Sequence, residues 1–335
     1  MTFKQGTNDI HNFDASLLST TAAAKKHNVS AKYLLAHLIS NNYLRKENKL
    51  SRLTDKGVSI GGSYREYEGG KSSPVWPDKN ISEIIKRTDW PVDISRSLEI
   101  IRDQAKIRLK IKNADTDYLY QKLERGTKIL DCDDSLDKYI CAFSKMHKAK
   151  LFHAFEELNR QENLKRLVQN KQVQIIDYGC GQGMASIVFI EYLRSRKIDY
   201  KIKEALLIDP SKKALEKCGA HLTGNIVRSN KKFDDLVEND ISSNESFTKF
   251  HFFSNILDMG GEHFDLEHLA EVIINSQQGI NYFVCVSVRE SAKLAHFMKY
   301  FAGRAEISSF EGELENLTNP SKPWHLVEKI FRVEF

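Results

Sequence analysis

The sequence predicts an α/β domain over residues 171–335, preceded by a helical connector over 81–170 and a small helix-and-hairpin domain over 1–80. Three observations carry that division. After residue 170, apolar runs of strand length (VQIIDY, EALLIDP, FHFFSNI, INYFVCVSV) alternate with helical stretches, as in a buried, mostly parallel sheet. Between Ile81 and Asn170 the apolar residues recur at helical spacing. The excess positive charge lies wholly in residues 1–80, with 12 Lys and Arg against 7 Asp and Glu, while the rest of the chain holds 38 of each.

Composition narrows the function classes. At 335 residues the chain has room for two domains, and its 41% hydrophobic and 28% charged residues are ordinary for a soluble protein. It holds no apolar run of 18 residues, so no membrane span is expected, and MTFKQGTNDIHNFD lacks the pattern of a signal peptide. Five scattered cysteines without a CxxC pair argue against a zinc knuckle or a disulfide framework, so no metal is expected and a reducing cytoplasm suits the chain. The localised basic excess favours an anionic partner.

In the first domain STTAAAKKHN predicts a short helix that Ser19 or Thr20 can cap. Asn28-Val29-Ser30 breaks it, and Ser30 can cap a second helix, AKYLLAHLISNN. There Tyr33 or Leu34, Leu38 and Ile39 form an apolar stripe, with Lys32 and His37 off it. YLRKENKLSRLTDKG then reads as a basic hairpin turning around Glu47-Asn48. Two short helices, a tight turn and a basic hairpin are the parts of a winged helix-turn-helix. Residues 64–80, with Gly69-Gly70, Ser72-Ser73, Pro74 and Pro77, read as the end of the wing followed by a linker.

The stretch TTAAAKKHNVSAKYLLAHLISNNYLRKENKLSRLTDKG resembles the small winged-helix (KilA-C-like) modules at the ends of phage antirepressors, over about 60 residues. The resemblance implies binding of DNA or of protein, on phage-related or mobile elements, and the partner expected of this domain is nucleic acid, DNA or RNA. It implies that Lys32, Tyr33 and His37 face a groove, with Arg45, Lys46, Lys49 and Arg52 along the wing beside phosphates and Lys25 and Lys26 nearby. The alternative is a module that packs against neighbours or forms homo-oligomers.

In the connector, ISEIIKRT, SRSLEIIRDQAKIRLKI and DYLYQKLERGTKIL have helical spacing, as does LDKYICAFSKMHKAKLFHAFEEL. In the last of these, Ile140, Phe143, His147, Leu151, Ala154 and Leu158 fall on one face. At the far end of the chain RAEISSFEGEL and HLVEKIFRVEF are strand-like, with no helix of useful length between them, so the last strand is expected to be antiparallel.

The chemistry concentrates in IIDYGCGQG, residues 175–183, where Gly179, Gly181 and Gly183 follow a strand ending in Asp177-Tyr178. The dinucleotide pattern GxGxxG fails because Met184 stands at its third position, and the triphosphate pattern GxxxxGK[ST] fails because no Lys-Ser or Lys-Thr follows. Glycines permit positive φ and admit a ligand against bare backbone, and the helix after them offers its amides to a carboxylate. Residues 173–187 are similar to the first motif of class I S-adenosylmethionine-dependent methyltransferases, and the resemblance extends over roughly 135–335.

That resemblance implies a Rossmann-like domain with a mostly parallel seven-stranded sheet, S-adenosylmethionine as cofactor, and a set of contacts. Asp177 would accept from the cofactor's ammonium, and Asp209, 32 residues on at the end of ALLIDP, would take both ribose hydroxyls. Asp209 could instead cap the helix after Pro210-Ser211. Asn230, or its neighbour Lys231, would hold the adenine, with Phe233 flanking the ring or belonging to the core. Ser254 and Asn255 would end the fourth strand beside the cofactor, and Tyr139, Lys145 or His147 would reach it from the preceding helix.

For the acceptor, SNILDMGGEHFD lacks the [DNS]PP[YFW] of amino-methylating DNA enzymes, and no proline precedes a cysteine as carbon-5 cytosine enzymes need. Asp258 and His263 are the candidate catalytic residues on the loop that follows, His263 as a base because imidazole titrates near neutrality. The alternative there is a helix start, with Glu262 and Asp265 in the first turn of FDLEHLAEVI. The expected function is methyl transfer to RNA or a nucleic-acid-associated target, the alternative a cofactor-binding regulator that methylates nothing.

Overall fold

The structure is a computed structural model that describes residues 17–67, 70–111, 119, 123, 129–288, 291–316 and 319–335. The N-terminal stretch read for a targeting signal lies outside these residues, as does most of DYLYQKLERGTKIL. The chain forms two compact units, Met1–Asp89 and Trp90–Phe335. Among the described residues no helix is long and apolar enough to cross a membrane, and no cluster of His, Cys, Asp and Glu could hold a metal ion.

The first unit begins with strand β1 (Leu17–Ser19) and helices α1 (Thr20–Lys26) and α2 (Ala31–Ser40). Ser19 caps α1, its hydroxyl accepting from the Ala22 amide at 3.1 Å. Asn28 and Asn42, at φ 52° and 58°, turn the chain after each helix, a conformation that asparagine tolerates. Strands β2 (Leu44–Glu47) and β3 (Leu50–Leu53) pair antiparallel. Asn48 and Lys49 both have positive φ, so the two-residue turn is Asn48-Lys49 rather than Glu47-Asn48. Helix α3 (Asp55–Ser59) follows, and Gly57 is required there because a Cβ would lie 2.2 Å from the Tyr43 carbonyl oxygen.

Residues 64–80 are not a linker. β4 (Ser63–Tyr67) and β5 (Lys71–Pro77) form a hairpin whose second strand also pairs with β1, and α4 (Asp78–Lys86) starts directly after Pro77. Pro74 lies one residue beyond the pairing with β1, which ends at Val75. Trp76 is 1% exposed and donates its indole N–H to the Thr20 hydroxyl at 3.1 Å, so the supposed linker supplies the largest core side chain of this unit. Trp76→Ala should lower its stability by about 3–5 kcal/mol, visible as an earlier urea transition by circular dichroism. Helix α4 buries Ile81 and Ile85 and belongs to this unit, not to a connector.

In the second unit, β7 (Val173–Tyr178), β8 (Ile202–Ile208), β10 (Ile226–Ser229), β11 (Thr248–Ser254) and β12 (Ile280–Ser287) are parallel, while β14 (Trp324–Glu334) runs antiparallel between β12 and β13 (Ala305–Leu314). The order is β10-β8-β7-β11-β12-β14-β13. This is the seven-stranded, mostly parallel sheet with an antiparallel last strand that the methyltransferase resemblance implies. Side chains alternate between the two faces, as strand geometry requires. Val173 and Ile175 join the core on one side, Ile176 and Tyr178 the core on the other.

The helical connector is part of this core. Helices α5 (Leu98–Leu109) and α6 (Asp133–Glu162) pack on the first face, with Phe155 of α6 5.0 Å from Phe189 and 5.4 Å from Phe252, ring to ring. Ile140, Phe143, His147, Leu151, Ala154 and Leu158 are buried, so the apolar face read from their spacing is the packed one. A short strand, β6 (Asp93–Ile94), pairs with β9 (Leu222–Thr223), and α7 (Leu164–Val168) leads into β7. The remaining helices, α8 (Met184–Ser195), α9 (Lys212–His221), α10 (Glu238–Ile241), α11 (Leu266–Ser276) and α12 (Ser291–Lys299), connect the later strands.

Candidate active site

A cavity of about 290 Å³ opens at the carboxyl ends of β7, β8 and β11, the end at which ligands bind in parallel α/β sheets. The three glycines after β7 have φ of 62°, 53° and 79° and serve three different purposes. A Cβ on Gly179 would press on Ile256 at 3.0 Å. One on Gly183, which caps α8, would lie 2.3 Å from the Cys218 sulfur. One on Gly181 would meet nothing within 4 Å, and Gly181 borders the cavity. Gly181 therefore presents bare backbone to a ligand, while Gly183 stands behind the lining and sets the packing of α8 on α9.

Asp209 stands just past β8, 8% exposed, and lines the cavity. Its Oδ2 accepts from the Gly181 amide and its Oδ1 from the Ser211 amide, each at 2.8 Å. Burial raises its pKa, and the two amide bonds oppose the rise. The cap of α9 is Ser211, whose hydroxyl accepts from the Ala214 amide at 3.0 Å. Asp209 thus ties the glycine turn to the end of β8 and keeps a carboxylate at the cavity wall.

Asp177 is placed differently from the expectation. It is buried and absent from the lining, and its Oδ2 accepts from the Ser186 amide at 3.1 Å and hydroxyl at 2.6 Å. It anchors α8 beneath the turn instead of reaching a ligand's ammonium. Burial raises its carboxyl to about 7, against the Ser186 hydrogen bonds. The folded state therefore keeps a proton that the unfolded chain releases near 3.8, so stability falls as pH rises from about 4 to 7. Melting curves across that window should decline for the wild type and flatten for Asp177→Asn; parallel curves would refute the assignment.

Asn230 is also displaced from the expected role. Its Nδ2 donates to the main-chain oxygens of Asp209 at 3.0 Å and Pro210 at 2.8 Å, and it does not line the cavity. Lys231 pairs with Asp240 at 2.7 Å. The lining residues after β10 are Lys232 and Phe233, the latter edge-on to Phe264 at 4.8 Å. A polar side chain at the end of the third strand is drawn to exposed main-chain carbonyls, and the aromatic ring falls to the cavity.

Ser254, Asn255 and Tyr139 line the cavity as expected. Asn255 adopts φ 58°, and its Nδ2 lies 3.1 Å from the Ser254 hydroxyl and 3.3 Å from His147 Nδ1. His147 is buried edge-on to Tyr139, outside the lining, and burial lowers its pKa to about 3, so the ring is neutral at physiological pH. Lys145 is exposed and faces Arg102 and Lys106 rather than the cavity. Of the candidate catalytic pair, exposed His263 lines the cavity and Asp258 does not. Asp258 sits in a 3₁₀ turn, its carboxyl raised by burial and bonded to Ser287, its carbonyl accepting from Lys293 at 2.8 Å. The helix that follows is capped by Asp265, which accepts from Glu267 and His268, while Glu262 pairs with Lys293.

Leu130, Leu136 and Gln182 are lining residues that the sequence reading missed. Gln182 donates to the Leu136 carbonyl at 2.8 Å, and the Ser211 hydroxyl donates to that of Leu130. Asp137 secures the same segment, accepting from Arg108 at 2.6 and 2.9 Å and from Lys217 at 2.6 Å. Gln182, the one long polar side chain in GCGQG, was the only signal for these contacts.

In the first unit Lys25, Lys26, Lys32, Arg45, Lys46 and Lys49 are exposed and Tyr33 and Arg52 half-buried. Lys26 pairs with Asp78 at 2.7 Å and Arg45 with Glu47 at 2.8 Å. Arg45 and Arg52 stand directly opposite each other in the β2–β3 register, a like-charge pairing that costs stability. His37 is half-buried, with ring nitrogens within 3.4 Å of Asn41 and Thr88, and burial and Lys56 lower its pKa. That packing turns His37 away from the groove-facing role expected of it.

No family model and no curated protein matches the sequence. Among solved structures, the chain is similar to the N-methyltransferase NodS from Bradyrhizobium japonicum WM9, in complex with S-adenosyl-L-homocysteine, at 12% identity and a TM-score of 0.40, over 64% of this chain and 97% of that one. It is similar to the DszA carbon methyltransferase at 13% identity and a TM-score of 0.38, over 96% and 84%. It is similar to the plantazolicin methyltransferase BpumL at 13% identity and a TM-score of 0.36, over 70% and 100%.

Proposed function

We propose that this protein is an S-adenosylmethionine-dependent methyltransferase acting on RNA or a nucleic-acid-associated target, to which its N-terminal unit recruits it. The observation that carries the reading is the pairing of Gly181 and Asp209 at one cavity: open space before a positive-φ glycine, tied by a 2.8 Å hydrogen bond to a buried carboxylate. These residues fit the cofactor. The bare turn admits its amino-acid end, Asp209 suits its ribose hydroxyls, and Phe233 with Ile256 offers apolar walls to its adenine. When bound, the cofactor supplies an electrophilic methyl group. The protein's own part is to hold and orient, which is sufficient for an acceptor that is already nucleophilic, with His263 at the cavity to take up a proton.

The test is calorimetric titration of the full chain with S-adenosylmethionine, followed by labelled-methyl transfer to RNA, DNA and protein fractions. Binding with label in RNA supports the reading, and absence of binding overturns it. Binding without transfer to any fraction favours the second reading, a cofactor-holding regulator of a phage, mobile-element or defence system. That reading gains from the position of Asp258, which leaves His263 without its expected catalytic partner at the lining.

Recruitment is supported by the opposed Arg45 and Arg52, whose mutual repulsion a phosphate between them would relieve. Arg45→Glu with Arg52→Glu should weaken oligonucleotide binding at least about tenfold and flatten its salt dependence, measured by fluorescence anisotropy. Unchanged binding would remove the hairpin from the interface.

A further inference from the structure

At the opposite end of the sheet, where the parallel strands begin, lies a groove lined by Gln169, Asn170, Lys171, Gln172, Asp199, Tyr200, Lys201 and Lys203. Three lysines face one aspartate there. On either side along the chain, Lys165 and Arg166 on α7 and Lys197 after α8 add exposed cations. Lys165, Arg166, Lys171, Lys197 and Lys201 make no ion pair with a described residue. Nearby cations are neutralised, Arg194 by Asp93 and Arg196 by Glu156 at 2.6 Å. The net neutrality of the chain beyond residue 80 therefore conceals a local excess of positive charge along this groove.

We propose that this groove is a second nucleic-acid-binding surface, holding the phosphate backbone of a single strand away from the cavity. Its cations are spread over three chain segments, 164–172, 197 and 201–203, and do not converge on a point. That arrangement suits a line of phosphates better than one small anion. The amide side chains of Gln169, Asn170 and Gln172 can bond sugar or base edges. Tyr200 is held by its hydroxyl, which donates to Asp93 at 2.9 Å and accepts from Arg194 at 3.0 Å, so the ring is fixed at the groove wall. β7 spans the six residues from this end of the sheet to the glycine turn, about 20 Å at roughly 3.3 Å per residue. A strand of several nucleotides could engage the groove without entering the cavity. The surface is independent of methyl transfer and of the β2–β3 hairpin.

The competing explanation is local, since Lys and Arg near helix C-termini favour the helix dipole. The experiment separates the two. The full chain is titrated against a fluorescein-labelled 20-nucleotide single-stranded RNA at several salt concentrations, beside the triple variant Lys171→Glu, Lys197→Glu, Lys201→Glu and its Lys→Gln counterpart. We expect both triple variants to lose affinity, the reversed one at least about tenfold, with the slope of log K against log salt reduced by about 2. Their melting temperatures and S-adenosylmethionine binding should be unchanged. Wild-type affinity in the Lys→Gln variant would overturn the proposal, as would lowered melting temperature without weaker binding, which assigns the lysines to the helix ends. Equal displacement of the RNA by poly-glutamate would also overturn it, in favour of an acidic protein partner. Because the Arg45→Glu, Arg52→Glu chain keeps this groove, loss of binding there and here can be told apart.

Discussion

Asp209→Ala should weaken S-adenosylmethionine binding by roughly 10²- to 10³-fold while leaving the chain folded. Two losses combine. The Gly181 and Ser211 amides each lose a 2.8 Å acceptor, and a buried donor left without a partner costs about 1–3 kcal/mol. The cavity also loses its carboxylate, the group proposed to accept from the ribose hydroxyls. Asp209→Asn separates these effects. An amide oxygen can still receive one of the two N–H groups, so the turn is partly held, yet the negative charge is gone. Calorimetry should place Asn between wild type and Ala. Equal affinity in all three would remove Asp209 from the site.

Asp137→Ala should strongly destabilise the second unit. Breaking a buried ion pair by removing one partner costs about 3–5 kcal/mol, and half-exposed Arg108 favours the lower end because its charge can be resolvated. Burial works against the Asp137 charge, but Arg108 and Lys217 outweigh it and hold the carboxyl below its usual range. Its contribution is therefore present above the unfolded value of 3.8 and is lost as pH falls through the lowered folded value. The wild type should lose stability on that acid limb and Asp137→Asn should not. Because Leu136 and Tyr139 line the cavity beside Asp137, cofactor affinity should fall along with the melting temperature. A variant with wild-type melting behaviour would show that the segment is held by other contacts.

The backbone of the glycine turn was legible because glycine's conformational freedom is local. Positive φ at 179, 181 and 183 follows from residue type, and so does the placement of the turn after an apolar strand. Asp209, Ser254, Asn255 and Tyr139 were legible for a related reason, since each ends a strand or lies on the face of a periodic helix. Asp177 and Asn230 were not, because a buried polar side chain goes to whichever partner is nearest. Ser186 and the carbonyls of Asp209 and Pro210 are partners that only folding brings near. The 64–80 segment misled through composition: its prolines and glycines resemble a linker, yet Trp76 makes it core.

By itself, the sequence determined the alternation of strand and helix, the glycine turn, the carboxylate at the end of the second strand and the antiparallel end of the sheet. Those features rest on periodicity and on backbone preferences that each residue carries with it. Tertiary structure alone decided which polar groups face the cavity, that Ile129, Leu130, Leu136 and Tyr139 line it, and that unpaired cations gather at the far end of the sheet. Such outcomes depend on groups tens of residues apart arriving within about 3 Å of each other, and hydrogen-bond strength falls too steeply with distance for spacing along the chain to foretell them.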